Sequence, residues 1–147
     1  MRRGHARIVV AVVALIGIGL LGAVAYGAAR SGPGQIELST TVFDFGSIPN
    51  TEPVTKEFQV RNVGQGPLEI SGVSTSCGCT TAEVDSRHLE PGESATLRVT
   101  FDPLVHNGEL GRYLRMVYVR SDDPVTPEAS LTFWVTVVAP KSGGTQG

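Results

Sequence analysis

Three stretches of this chain alternate apolar and polar residues with a strict period of two. Phe58 and Val60 alternate with Glu57, Gln59 and Arg61. Ala95, Leu97, Val99 and Phe101 alternate with Ser94, Thr96, Arg98 and Thr100. Leu131, Phe133, Val135 and Val137 alternate with Thr132, Trp134 and Thr136. Successive side chains of a strand point to opposite faces, so this pattern fits half-buried strands and no helix. Val, Thr, Phe and Trp dominate the stretches, as strand propensity requires.

Further strands are expected over 36–38, 41–45, 68–74, 80–84 and 114–121. The last is apolar on both faces (Leu114, Met116, Tyr118; Val117, Val119) and is expected in the middle of a sheet. Turn-forming runs separate the strands: Ile48-Pro49-Asn50, 63–67, Glu90-Pro91-Gly92-Glu93, His106-Asn107-Gly108 and Ser121-Asp122-Asp123-Pro124. No window after residue 30 repeats every 3.6 residues. Seven or eight short strands so punctuated predict an all-β, antiparallel sandwich of the immunoglobulin (Ig) type over 36–140. Its core is expected to hold Phe43, Phe45, Phe58, Val60, Leu68, Ile70, Leu97, Val99, Phe101 and the inner face of 131–137.

The amino-terminal region obeys another rule. Ile8 to Tyr26 contains 19 residues without a charge or a proline. A helix of about 20 apolar residues spans the hydrocarbon core of a bilayer. Residues 8–29 are therefore expected to form a transmembrane anchor, with 1–7 as a basic cytoplasmic segment. Arg2, Arg3 and Arg7 precede the anchor, which directs the rest of the chain out of the cytoplasm. A cleaved signal peptide also fits, because Ala23-Val24-Ala25 and Gly27-Ala28-Ala29 are acceptable cleavage contexts; the length of the run favours a retained anchor. Residues 30–35 read as a linker, and 141–147 as a flexible tail. The expected location is thus the cell membrane, single-pass, with the domain extracytoplasmic, or secreted if the signal is cut.

From Arg30 onward nine of the 12 basic residues stand against all 14 acidic ones, a net charge of −5. That balance offers no footprint for nucleic acid. The sequence also lacks Gly-x-Ser-x-Gly, His-Glu-x-x-His and a glycine-rich phosphate loop, so neither an enzyme nor a cofactor is expected. Asp102, Asp122 and Asp123 match no calcium loop and read as solvated turn residues. His88 reads as solvated, His106 as a loop tip, and Trp134 and Tyr118 as strand-face packing.

A set of ordered motifs adds a resemblance. These are 43–49 (Phe-Asp-Phe-Gly-Ser-Ile-Pro), 58–64 (Phe-Gln-Val-Arg-Asn-Val-Gly), 67–70 (Pro-Leu-Glu-Ile), 76–80 (Ser-Cys-Gly-Cys-Thr), 89–93 (Leu-Glu-Pro-Gly-Glu), 99–103 (Val-Thr-Phe-Asp-Pro) and 119–124 (Val-Arg-Ser-Asp-Asp-Pro). Together they resemble the bacterial domain-of-unknown-function family fifteen seventy-three. That family is Ig-like and akin to the Hydin-type (ASPM-SPD-Hydin) domains of ciliary and centrosomal proteins. The resemblance runs from about 36 to 138, and Ser-Cys-Gly-Cys-Thr is its most specific part. One departure is Ser121-Asp122-Asp123-Pro124 in place of Ser-Asn-Asp-Pro, and Asp can form the same side-chain turn. The resemblance implies an exported Ig-like fold and no established activity.

Cys77 and Cys79 are the only cysteines. In an oxidising compartment a local disulfide can form. Residues two apart in an extended strand have Cα atoms about 6.5–7 Å apart, at the limit for a bridge, so a bulge or turn is required. Gly78 is expected to relieve the crowding of so tight a ring. Two thiolates at this spacing also suit Cu(I) or Zn(II), but only His88, His106 and Met116 could complete the ligand set. Redox exchange with a partner thiol is the third reading, and the sequence places no basic cluster beside the cysteines to activate them. A local disulfide or a reduced structural pair is the preferred expectation. Function is expected to lie in binding an unidentified protein or cell-envelope polymer, with a metal or thiol-redox role at Cys77 and Cys79 as the alternative.

Overall fold

The computed structural model describes residues 32–140. The expected anchor over 8–29, the basic segment 1–7 and the tail 141–147 lie outside the described residues. Among the described residues nine strands form: β1 (Ile36–Leu38), β2 (Val42–Pro49), β3 (Val54–Asn62), β4 (Leu68–Thr75), β5 (Thr80–Val84), β6 (His88–Leu89), β7 (Ser94–Phe101), β8 (Gly111–Ser121) and β9 (Glu128–Val138). They make two sheets, β1-β3-β7-β5 and β2-β9-β8-β4-β6. β8 is the middle strand of the five, as its two apolar faces predict.

The alternating residues meet between the sheets. Phe58 and Val60 of β3, Ala95 to Phe101 of β7, Val117 and Val119 of β8, and Leu131 to Val137 of β9 supply the buried faces. Leu68, Ile70 and Leu89 close one flank of this core. Phe43 and Phe45 are half-buried and pack edge-on, Phe43 against Phe58 and Phe45 against Phe133.

The expectation of a wholly antiparallel sandwich needs one correction, since β2 pairs with β9 in parallel. The cause is a change of sheet without a change of direction. Ser39 N–H still donates to Gln59 O in the first sheet, whereas Thr41 O already accepts from Thr132 N–H in the second. The three residues between them carry the chain across to the second sheet without turning it back, so β2 keeps the heading of β1. The two-residue strand β6 is too short to show a period and has no counterpart among the expected strands.

Among the described residues three polar ones are buried, Asn62, Thr80 and Asp123, and two of them organise the fold around them. Asn62 is fully buried; its amide donates to the carbonyls of Gly66 and Leu89 (2.8 Å each) and its Oδ1 accepts from Gln35 and Gly64 N–H (3.1 and 2.9 Å). Asp123 corrects the expectation of a solvated turn residue. Only 3% of it is exposed, and its carboxylate accepts from the backbone N–H of Ile36, Val125 and Thr126 at 2.9, 2.8 and 3.1 Å. Burial alone raises the pKa of an acid, but the three N–H donors outweigh it, and Asp123 lies below the ordinary aspartate range. Asp102 does serve a turn, accepting from Leu104 N–H (2.9 Å), whereas the exposed Asp122 is tied to β4, its carboxylate accepting from Glu69 N–H (2.8 Å).

Candidate functional site

The chain leaves β4 at Thr75 and starts β5 at Thr80, so Ser76 to Cys79 form a tight connection between strands of different sheets. Thr80 N–H donates to Cys77 O (3.3 Å), which closes the turn. The Thr75 hydroxyl donates to the carbonyls of Cys77 and Thr80, both at 3.0 Å. The turn brings the Cα atoms of Cys77 and Cys79 to 5.3 Å, inside the range of a bridge, and the two sulfurs are joined as a disulfide. Cys79 is 1% exposed, and Cys77 is only partly buried. Gly78 does not act as expected: its φ is not positive, and an added Cβ there meets nothing within 4 Å. The space over the middle of the ring is open.

A second segment folds against this ring. Asp102 N–H donates to Cys79 O (2.8 Å), and Asp102 caps a short 3-10 turn over Pro103–His106. Asn107 takes the left-handed conformation (φ 55°) that ends the turn, as Asn does readily. Gly108 comes next with φ +66°, and a Cβ there would stand 2.9 Å from Asn50 O, so only glycine fits. This seating puts a His106 ring nitrogen and the sulfurs of Cys77 and Cys79 within 4.8 Å of one another. Leu104, Val105 and Leu110 of the same segment remain 50, 51 and 54% exposed.

The third contribution is Arg115 of β8. Its Nε donates to Cys79 Sγ at 3.1 Å, its Nη1 donates to Leu114 O at 2.8 Å, and its guanidinium lies 4.9 Å from the Tyr113 ring centre. No basic residue stands next to the cysteines in sequence, because both Arg115 and His106 come from segments distant in the chain. The alternation of β8 carries a signal: Arg115 is in phase with the buried Val117 and Val119.

The other candidate ligands lie apart from this cluster. His88 is exposed and bound on both ring nitrogens, Nδ1 to Glu69 and Nε2 to Glu90 (3.0 Å). These two hydrogen bonds and the carboxylate charges push its pKa up to about 9. Met116 points to the outer face of β8, where its sulfur accepts from the Tyr118 hydroxyl (3.4 Å). Trp134 is covered by the Arg112 guanidinium (4.3 Å to the ring centre) on the outer face of β9. With the sulfurs joined, the cysteines present no thiolate to a metal, and the cluster holds three donor residues where a closed zinc site takes four.

No curated protein matches the sequence. Among solved structures, a protein of unknown function from Porphyromonas gingivalis W83 is 29% identical, with a TM-score of 0.66 over 75% of this chain and 50% of that one. This chain therefore spans half the length of that relative. The PapD-like domain 7 of human CEP192, an ASH domain, gives a TM-score of 0.54 at 13% identity, over 73% of this chain and 86% of that one. The YadV chaperone gives 0.53 at 13% identity, over 73% and 54%. The last two likenesses concern the fold alone. Residues 36–137 match the family described as Protein of unknown function (DUF1573), and the chain belongs to that family.

Proposed function

We propose that this chain is a membrane-tethered, extracytoplasmic Ig-like module that acts by binding another protein or an envelope polymer rather than by catalysis. The tether is the uncharged run from Ile8 to Tyr26 behind three arginines, which favours export of the sandwich domain. The observation that carries the binding reading is the segment from Asp102 to Leu110. Three large apolar side chains, each about half exposed, crowd into seven residues there, whereas the other exposed apolar residues are scattered.

The position of this segment supports the reading. Ile36, where the chain enters the sandwich, pairs with Asn62 at one end of β3, while Phe101 pairs with Val54 at the other end. Leu104 and Val105 thus sit at the end of the sandwich farthest from the linker. The free strand edges are less suited to a partner. β1 and β6 have three and two residues, β5 carries an outward Glu83, and β2 is interrupted by a bulge between Asp44 and Ser47. Short, charged and bulged edges resist pairing with a further strand.

The test is photocrosslinking from position 104 in intact cells, with subsequent recovery of the chain from the membrane fraction. A discrete crosslinked product is expected, and it should be lost when V105S and L110S are added to the chain that carries the crosslinker at 104. Recovery of the chain from the soluble cytoplasm, or an unchanged pattern in the variant, refutes the reading.

A further inference from the structure

Arg115 holds the Leu114 carbonyl and the Tyr113 ring, but neither supplies a negative charge. Its neighbours in phase, Tyr113, Val117 and Val119, belong to the sandwich core or pack against it. A charge on this face loses water and needs a counter-charge. Among the described residues no carboxylate pairs with it, nor with Arg61 or Arg87, whereas Arg98 has two and Arg112 and Arg120 have one each. Its partner is a disulfide sulfur, which is a weak acceptor. A thiolate at the same position is a strong acceptor and supplies the missing negative charge. The surroundings of Cys79 therefore suit a reduced sulfur better than an oxidised one.

The two sulfurs differ in access in the way exchange chemistry needs. Cys77 is reached from the open side above Gly78, while Cys79 is enclosed and faces Arg115. Attack on a disulfide falls on the accessible sulfur, and the departing sulfur leaves faster the better its thiolate is stabilised. His106 stands beside both sulfurs, on the exposed side, and can take up or return a proton.

We propose that Cys77–Cys79 is a reversible thiol–disulfide couple that oxidises a partner dithiol, with Arg115 as the positioning residue that receives the Cys79 thiolate. The thiolate of the partner attacks Cys77 Sγ. A partner–Cys77 disulfide forms, the Cys77–Cys79 bond breaks, and its electron pair leaves on Cys79 against Arg115. The second thiol of the partner passes its proton to His106 and attacks the first partner sulfur. The mixed disulfide then breaks, and Cys77 departs with the proton from His106. The partner gains a disulfide and gives up two electrons; this chain ends with one thiol at Cys77 and one thiolate at Cys79. The couple depends on the sulfur environment alone and does not require a binding surface around Leu104.

The experiment uses the purified full chain in detergent, with dithiothreitol as the probe dithiol. Aliquots are alkylated at intervals and their intact mass is read. The folded wild-type chain is expected to be reduced, with Arg115→Gln about tenfold slower and shifted about tenfold toward the disulfide at equilibrium, and Arg115→Lys in between. The pH profile of alkylation of the reduced wild-type chain supplies a readout that needs no variant. One thiol reacting with a midpoint well below the ordinary value of about 8.5 supports the proposal. Equal rates in Arg115→Gln and wild type overturn it. So does an ordinary midpoint for both thiols, or reduction that occurs only when the chain unfolds.

Discussion

Replacing Asp123 isolates what one buried carboxylate contributes to this fold. Its two oxygens serve different neighbours. Oδ2 accepts from Ile36 N–H and so fastens β1, the first strand of the sandwich; Oδ1 accepts from Val125 and Thr126 N–H and shapes the turn before β9. In Asp123→Ala the N–H groups of Val125 and Thr126 can turn to water, because both residues are exposed. Losing those two bonds costs about 1–2 kcal/mol in total. The Ile36 N–H belongs to a residue only 9% exposed and is left without a partner, which costs about 1–3 kcal/mol more. The expected loss is about 2–5 kcal/mol, a large share of the roughly 5–15 kcal/mol typical of a domain. Asp123→Asn keeps one acceptor oxygen and is expected to lose about half as much. Urea unfolding monitored by Trp134 fluorescence measures both. The pH dependence gives a second check. The folded-state pKa of Asp123 is depressed, so its contribution is complete above the unfolded-state value and disappears as the pH falls through the lower folded-state value. The gap between wild type and Asp123→Asn should therefore narrow as the pH falls below about 4. An Asn variant within about 0.5 kcal/mol of wild type, the scatter of neutral surface changes, or a gap that widens in acid, refutes this account.

Phe101→Ala, at a side chain 1% exposed between the sheets, should cost about 3–5 kcal/mol in the same unfolding assay. Asn62→Ala removes four hydrogen bonds from a fully buried site and should cost at least about 3 kcal/mol, with Asn62→Asp also destabilising because two carbonyls then face a carboxylate. The double change Cys77→Ser, Cys79→Ser should lower stability by only about 1–2 kcal/mol, since closing so short a loop restricts the unfolded chain little. NMR titration of His88 should give a midpoint far above that of a free imidazole, near 9; its charge then supports the fold below the ordinary value near 6.5 and is lost as the pH rises through 9, and Glu69→Gln should bring the midpoint down.

The strands are legible because sheet burial imposes a period of two, and β3, β7 and β9 keep it almost without exception. The limits of β2 are less legible. Gly46 and the bulge break the alternation after Phe45, yet pairing with β9 continues to Pro49. The parallel pair is hidden for another reason. Which sheet a strand joins depends on hydrogen bonds made across the whole domain, and the residues between β1 and β2 show only that the chain stays extended. The cysteines are legible as a pair, since two sulfurs so close in sequence must meet if the chain turns between them. Their surroundings are not. Arg115 and His106 stand 36 and 27 residues beyond Cys79, and only the sandwich topology brings them to one end of the domain. Asp123 misleads for a similar reason: Asp before Pro is ordinary turn chemistry, and nothing local reveals that the N–H it holds belongs to β1.

The parallel pairing of β2 with β9 also determines how this domain carries force. The chain enters at the Ile36 end and leaves beyond Val138 at the opposite end, about 26 Å away along the length of β3. Tension drawn between those two points pulls neighbouring, equally directed strands in opposite senses. The bonds of the β2–β9 ladder are then loaded side by side and must slide together, not open one after another as in a hairpin peeled from its end. The antiparallel β1–β3 ladder is loaded lengthwise as well, with Asp123 holding its first residue. Rupture under load is governed by the unfolding barrier, and a shear arrangement raises that barrier without adding equilibrium stability. Force drawn between these two ends is therefore resisted along the length of the strands, by many bonds at once.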